Sequence, residues 1–220
     1  MAEGAQTAYA KVRDRLREDI LSGYLAPGSR LTIAPLAKRY GTSPMPIRAA
    51  IQELQGQGLV VAAPHKGARV RVADETYITN IYELRGAILG LLMPRCVRFI
   101  TNADIEEIEA VHRSFEEAVA AKDLARTLET NHRFHQTVYR IARNPEALAV
   151  MERTWVLLDA LRWQFGFGAG RLAEASASHR ALIKALAKRD GALATRLTQQ
   201  SSDGAMRDLI RLARAAATAP

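Results

Sequence analysis

Polar side chains interrupt the apolar faces of five helices that the hydrophobic periodicity predicts in the C-terminal two thirds of the chain. Arginine at such a position can pair with a carboxylate, and a neutral imidazole can bind a divalent metal. A buried neutral polar group without a partner costs about 1–3 kcal/mol, so we expect these side chains to converge on one polar cavity. The candidate effector-binding residues are Arg85, Asn131, His135, Arg162, His179 and Ser201. Of the other histidines, His112 is expected to be a core or edge residue and His132 to face outward.

A second set of residues has the types and spacing of a DNA-binding surface. Arg48 lies one turn into a predicted helix, and the first residues of such a helix reach base edges when it enters the major groove. A glycine-containing hairpin tip can approach the DNA backbone or the minor groove closely. The candidate DNA-binding residues are Arg30, Ser43, Met45, Arg48, His65, Lys66 and Gly67.

The elements that must position this second set are short and separated by glycine and proline. Apolar spacing and turn residues predict helices over about 8–22, 33–40 and 44–56, followed by strands over 59–61 and 68–72. Thr32 and Ser43 can cap the second and third helices, and Pro44 occupies a first helical position, where its missing N–H costs nothing. Helix, helix, turn, helix and hairpin is the outline of a winged helix-turn-helix.

The remainder of the chain has the periodicity of long amphipathic helices, with Asn102, Asp123 and Asn144 as candidate caps. Such helices can bury their apolar stripes only against one another, which predicts a six-helix antiparallel bundle. The predicted fold is therefore mainly α, with a DNA-binding domain over 1–73 and an effector-binding and dimerisation domain over 74–220. The six helices are predicted over about 76–99, 103–121, 124–142, 145–165, 171–189 and 192–216.

Composition supports this division and excludes several classes of protein. The 220 residues have a net charge of +8, and the first 73 residues have 11 Lys+Arg against 5 Asp+Glu, which favours a polyanionic partner. A single cysteine, Cys96, excludes a disulfide scaffold and is typical of a reducing compartment. The apolar stretch over 86–94 is far shorter than the ~20 residues of a membrane span, and no secretory signal is visible. We therefore expect a cytoplasmic protein without a membrane partner.

The segment ILSGYLAPGSRLTIAPLAKRYGTSPMPIRAAIQELQGQGLVVAAPHKGARV, within a match over about 8–72, resembles the DNA-binding domain of the GntR family of bacterial transcription regulators. The resemblance rests on spaced Gly, Pro, Leu and Arg residues, among them the Pro46-x-Arg48 helix start and Gly67-x-x-Val70 in the hairpin. It implies operator binding as a homodimer, usually as a repressor. One departure concerns Pro44, because many members have a base-contacting arginine at that position. Base recognition is then expected to depend on Arg48 and on van der Waals contact from Met45.

The C-terminal part, over about 75–214, resembles the FCD effector domain in its shorter, VanR-type form. The similarity rests on YELRGAIL, NHRFHQTVYRIARNP and SHRALIKALAKRDGALA. Family members often hold a divalent metal with an aspartate, a histidine four residues later and two further histidines. The matching positions here are Asn131, His135, His179 and Ser201, so two of the four positions have lost their metal-binding side chain. The resemblance implies either no tightly held metal or a weak Zn²⁺ or Ni²⁺ site at His135, His179 and Asn131.

The sequence therefore predicts a homodimeric, ligand-responsive transcription regulator that is not an enzyme. It binds an operator through its first domain and a small carboxylate-bearing metabolite through its second. Two alternatives stay open at this point. One is a metal-dependent hydrolase built on the histidines, and the other is an architectural protein that binds nucleic acid without a ligand.

Overall fold

The computed structural model describes residues 2–63 and 67–217 and divides the chain into two compact units. The first unit contains Met1–Ala73 together with Val156–Gln164, and the second contains Asp74–Trp155 together with Phe165–Pro220. Within the described ranges, no helix combines the length and the apolar character needed to cross a membrane.

The first unit is a winged helix-turn-helix, as predicted. Its three antiparallel strands have the order β1-β3-β2, with Arg30 opposite Arg69 and Val60 opposite Val70. Only the two-residue strand β1 is absent from the sequence prediction, because two residues are too few to show a periodicity. The elements are α1 (Ala2–Leu21), β1 (Arg30–Leu31), α2 (Ile33–Tyr40), α3 (Pro44–Gly56), β2 (Val60–Ala63) and β3 (Gly67–Val70).

The turn between α2 and α3 has a local cause. Gly41 adopts a left-handed conformation with φ of 62°, and its N–H bonds the carbonyls of Ala37 and Lys38 at the end of α2. Ser43 then occupies the N-cap position in an extended conformation, and Pro44 opens α3. Thr32 and Ser43 occupy the predicted N-cap positions of α2 and α3. Neither side chain makes a capping hydrogen bond.

The second unit is built from long helices, which begin and end close to their predicted bounds. Its core contains Leu92, Met93, Phe134, Val138 and Leu186, all fully buried. α4 packs against α9 and α6, while α5 packs against α6 and α8. The helices of the C-terminal part are α4 (Glu75–Phe99), α5 (Asn102–Ala120), α6 (Leu124–Arg140), α7 (Pro145–Phe165), α8 (Arg171–Ala187) and α9 (Gly191–Ala217). The stretch Val156–Gln164 of α7 belongs to the first unit.

Helix caps follow the sequence expectation at two of three positions. Asp123 accepts from the N–H of Arg126, and Asn144 accepts from the N–H of Ala147. The prediction that Asn102 caps α5 is wrong. Thr101 is the N-cap, and it forms a capping box in which its hydroxyl and Asp104 exchange hydrogen bonds with each other's backbone. The Thr-x-x-Asp spacing resembles the Ser/Thr-x-x-Glu sequence of a capping box, so this cap could have been predicted from the sequence.

Candidate functional site

The exposed face of α3 is the first candidate surface. Met45 is 70% exposed, and Arg48 and Gln52 follow it at helical spacing on the same side. Arg48, Gln52 and Gly67 line one groove between α3 and the hairpin strands. The structure thus brings a predicted base-contacting arginine and the predicted hairpin glycine together.

Two other predicted DNA-binding residues of this unit are exposed, and two lie outside the described residues. Ser43 is exposed at the start of α3, and Arg30 is exposed on β1 beside the groove residue Leu31. His65 and Lys66 lie outside the described residues. Sequence analysis did not single out Gln52, although its spacing of four residues from Arg48 places both on one helix face.

Some of the positive charge in this unit has a structural role. The Arg69 guanidinium donates to the carbonyl of Gly28 at 2.9 Å, and Arg71 donates to the carbonyl of Gly58 at 2.5 Å. Arg13 pairs with Glu53 and so links α1 to α3. Because these arginines already have partners within the unit, only part of the excess positive charge of the first 73 residues is available to a polyanion.

A cluster of aromatic rings forms the centre of the second candidate site. His179 on α8 is only 2% exposed and stacks on Phe134 of α6, with ring centroids 3.8 Å apart. His135 of α6 lies 5.1 Å from the His179 ring, and His112 of α5 lies 5.5 Å from it. Three helices therefore bring histidine rings into contact. Sequence analysis expected His112 to be a satisfied core or edge histidine, and it is buried as expected, but its ring nitrogens lack partners among the described residues. The contact between His112 and His179 was not predicted.

Arg85 and Trp155 extend this cluster toward α4 and α7. Arg85 is 4% exposed, and its Nη1 donates to Thr154 Oγ1 at 2.8 Å and to the carbonyl of Met151 at 3.3 Å. Its guanidinium lies 4.6 Å from the centre of the Trp155 ring, which in turn lies 5.1 Å from the His135 ring. Arg85, His135 and His179 thus belong to one contiguous group of side chains.

Several buried nitrogens in this group have no hydrogen-bond partner among the described residues. They are Trp155 Nε1, His179 Nδ1 and both ring nitrogens of His112. His112 Nε2 is 3.3 Å from Glu116 Oε1, but the two atoms lack hydrogen-bond geometry. The indole N–H is a donor, and each neutral imidazole has one donor and one acceptor nitrogen. Leaving such buried groups unpaired is costly, so this arrangement is suited to a polar molecule that supplies hydrogen-bond partners.

Burial keeps the three clustered histidines neutral. Desolvation lowers the pKa of His135 to about 3, with Arg85 adding to the effect. Desolvation also lowers the pKa of His179 well below 6.5, and that of His112 in the same direction. At neutral pH the imidazoles therefore act as hydrogen-bonding groups, and arginines provide the positive charge of the site.

A further arginine near these rings was missed by the sequence analysis. Arg171 is buried at the start of α8 and contributes to the lowered pKa values of both His135 and His179. It donates to Glu174 and to the backbone carbonyl of Ser201, each at 3.2 Å. Because Arg171 opens a helix, no interrupted apolar stripe marked it in the sequence.

The other residues that the sequence analysis considered for the effector site differ from their expected positions or lie apart from the ring cluster. Arg162 is buried, but it lies in the 156–164 stretch, which belongs to the first unit. Asn131 is half-buried on α6, one turn before His135. His132 does not face outward as expected, because its ring stacks on Trp155 at 4.9 Å and bonds Glu152 at 2.9 Å. Its aromatic partner on α7 was not visible from the periodicity of α6 alone.

The donor set does not fit a tightly bound zinc or nickel ion. Within residues 2–63 and 67–217, no three His, Cys, Asp or Glu side chains are arranged to hold a metal. His135 Nδ1 lies 3.1 Å from the Tyr139 hydroxyl, within hydrogen-bond distance. Asn131 offers only neutral amide groups, and Ser201 offers a neutral hydroxyl in place of an imidazole.

Comparisons with known proteins match both units. The model of the FCD domain matches residues 80–203, and that of bacterial regulatory proteins of the gntR family matches residues 8–70. The transcriptional repressor RspR of Escherichia coli is 27% identical over 176 residues, which cover 80% of this chain and 77% of RspR. A probable D-xylose utilization operon transcriptional repressor of Paenarthrobacter nicotinovorans is 30% identical over 194 residues, covering 86% of this chain and 82% of that protein.

Solved structures share the fold. McbR/YncC of E. coli superposes with a TM-score of 0.74 at 19% identity, covering 93% of this chain and 97% of that one. The structure of Lar, which controls the agr system of Listeria monocytogenes, gives a TM-score of 0.69 at 20% identity, with 92% and 96% covered.

Proposed function

The chain belongs to the gntR family of bacterial regulatory proteins and is a ligand-responsive, DNA-binding transcription regulator, and we propose that it senses a small acidic metabolite at the Arg85–His179 cluster. The observation that carries the proposal is the pair of buried nitrogens, the indole donor Trp155 Nε1 and the imidazole nitrogen His179 Nδ1, that lack partners among the described residues. Both belong to the ring cluster that includes the Arg85 guanidinium. A carboxylate-bearing ligand would supply both the acceptors and the negative charge.

On the DNA side, the proposed regulator acts as a homodimeric repressor in the cytoplasm, on an operator with two-fold symmetry. Arg48 and the start of α3 contact base edges, and the hairpin contacts the backbone or the minor groove. Two copies related by a two-fold axis require half-sites that mirror this symmetry. The protein acts by binding and not by catalysis.

The effector acts through a difference in affinity, because a ligand shifts an equilibrium only if it binds the two states unequally. Arg85 lies on α4, and residues 71–74 alone separate the end of β3 from the start of α4. A tilt of α4 on ligand binding would therefore be transmitted along the chain to the hairpin. No step of this mechanism needs a metal, and any ion at His135, His179 and Asn131 would be weakly held.

Thermal-shift measurements with a panel of dicarboxylates and sugar acids test the proposal, since a ligand bound to the folded state raises the melting temperature. The test variant is Trp155→Phe, which removes the indole N–H from the proposed site and keeps an aromatic ring. Trp163→Phe, a change at an exposed tryptophan, is the control. We expect a ligand that stabilises the wild type and the control more than Trp155→Phe. Equal shifts in all three proteins for every stabilising ligand would contradict the proposed site.

A further inference from the structure

Helix α3 has few polar side chains that can read DNA bases. The residues that open it are Pro44, Met45 and Pro46, and none of them has a side-chain hydrogen-bond donor. Along the 13 residues of α3, all of which the structure describes, Arg48 and Gln52 are the only polar side chains that are exposed. Hydrogen bonds from α3 to base edges therefore depend on these two residues.

The two other polar side chains of α3 are used or placed differently. Glu53 accepts from the Tyr9 hydroxyl and pairs with Arg13, so its carboxylate faces α1. Gln55 is half-buried. The exposed amide of Gln52, by contrast, makes no hydrogen bond with another described residue, so it is available to a partner outside the chain.

The packing of α3 fixes the direction in which Gln52 points. Ile47 and Leu54, on the inner side of the helix, are fully buried and set its rotation against the core of the unit. Arg48 and Gln52 are then one helical turn apart on the opposite side, and both line the groove that also contains Gly67 of the hairpin. The amide of Gln52 is thus held beside the arginine that is expected to contact DNA.

The chemistry of the Gln52 amide matches one base better than it matches the DNA backbone. A side-chain amide has a carbonyl that accepts and an NH₂ group that donates. In the major groove, adenine presents N7 as an acceptor and its N6 amine as a donor, so one amide can form two hydrogen bonds with it. A phosphate offers acceptors only, and a neutral amide gains no attraction from its charge.

We propose that Gln52 is a base-reading residue that selects an adenine in each operator half-site, close to the base or phosphate that Arg48 contacts. Four residues of an α-helix span about 6 Å, and successive base pairs are about 3.4 Å apart, so the two contacts lie within about two base-pair steps. The inference rests on the operator binding by α3 proposed above, and it adds the base that one further residue recognises.

Selection of bound sequences from a library of randomised double-stranded DNA, with the full chain, is the first arm of the test. The Gln52→Ala variant should enrich the same half-site as the wild type except at one position, where the preference for adenine is lost. Gel-shift titration then compares the selected site with a site in which that base pair is changed. The wild type should discriminate between the two sites by about tenfold or more, and Gln52→Ala should bind them equally.

Gln55→Ala is the matched control, because it removes the same amide from a half-buried position almost one turn further along α3. This variant should select the wild-type sequence. Gln52→Glu is the second test variant, since a carboxylate only accepts hydrogen bonds and therefore matches the donor amine of cytosine. It should select cytosine in place of adenine at the position that Gln52→Ala identifies.

The outcomes separate this inference from operator binding itself. If Gln52→Ala and Gln52→Glu both select the wild-type sequence, Gln52 reads no base and the inference is overturned. A Gln52→Ala protein that loses the same factor in affinity for every sequence would also overturn it, because a phosphate is present at every position. A wild type that enriches no sequence would reject both this inference and the proposed operator.

Discussion

At the scale of single residues, the two candidate sites use arginine in opposite ways. Arg48 is exposed on α3 and available to DNA, whereas Arg85 is buried and already holds Thr154 and the Met151 carbonyl. An exposed guanidinium contributes binding energy only through the partner that it contacts. A buried one also positions the groups around it, here the Trp155 ring at 4.6 Å.

Replacement of Arg48 by alanine should weaken operator binding by about 1–3 kcal/mol, through the loss of a bidentate contact to a base or of a phosphate contact. Gel-shift titration at fixed salt concentration measures this change. Lys11→Ala, which removes one exposed positive charge on α1, is the matched control and should have a much smaller effect. Equal affinity of wild type and Arg48→Ala would show that α3 does not contact the operator.

The stability of the folded protein should fall as the pH drops below about 6.5. Desolvation lowers the pKa of His135 to about 3 in the folded state, so in the window between these values only the unfolded chain takes up the proton. His179 and His112, whose pKa values are lowered by the same cause, act in the same direction. Each such histidine costs up to about 1.4 kcal/mol per pH unit within its window.

Chemical denaturation between pH 7.5 and pH 4.5 measures this dependence. The His135→Gln variant should show a shallower decline than the wild type, because one protonation site has been removed from the unfolded chain. Parallel curves for the two proteins would contradict the assignment of His135 as a desolvated imidazole that stays neutral in the folded state.

At the scale of the elements, short-range signals decide where most helices begin. Pro44 and Pro145 both occupy the first helical position, and Asp123 and Asn144 make the capping contacts expected of them. The start of α5 differs because Thr101 can form a reciprocal pair of bonds with Asp104, and Asn102 cannot. The two-residue strand β1 depends on pairing with β3, a contact between distant parts of the chain.

The capping box at α5 gives a stability prediction. Thr101→Ala should destabilise the protein by about 1 kcal/mol, because the N–H of Asp104 loses its acceptor. Asn102→Ala, one residue away, should change the free energy of unfolding by less than about 0.5 kcal/mol. Urea denaturation distinguishes the two, and a larger loss for Asn102→Ala would contradict the box.

At the scale of the whole molecule, one chain combines a DNA-binding unit with a helical unit that contains a buried polar cluster. Regulation requires that ligand occupancy of this cluster and operator occupancy change each other's free energy. Arg85 is the residue of the cluster that lies on α4, the helix that follows the hairpin in the chain.

The Arg85→Ala variant should therefore bind the operator with wild-type affinity in the absence of effector but respond to effector much less. The reason is that the variant loses a charged group of the proposed ligand site while α3 and the hairpin are unchanged. Operator titrations with and without a stabilising acid measure both quantities. An Arg85→Ala protein with a full effector response would show that the ligand binds elsewhere, and a melting curve checks that the variant is folded.

Local patterns in the sequence were sufficient for the architecture. Glycine and proline positions, capping residues and apolar periodicity all act over a few residues, so they predicted a winged helix-turn-helix followed by six helices, with a polar residue on several inner faces. These same patterns placed Arg85, His135 and His179 on inward faces. The family resemblance then supplied the regulator function, which the comparisons bear out.

Only the tertiary structure decided which of those polar residues meet. His112 contacts the His179 ring from another helix, Arg171 lowers the pKa values of His135 and His179 through its charge, and Arg162 belongs to the first unit. Such contacts depend on how each helix is rotated and placed against the next, and helical periodicity describes one helix at a time. The physical reason is that an apolar stripe determines which face of a helix turns inward, whereas the packing of several faces determines what each side chain touches.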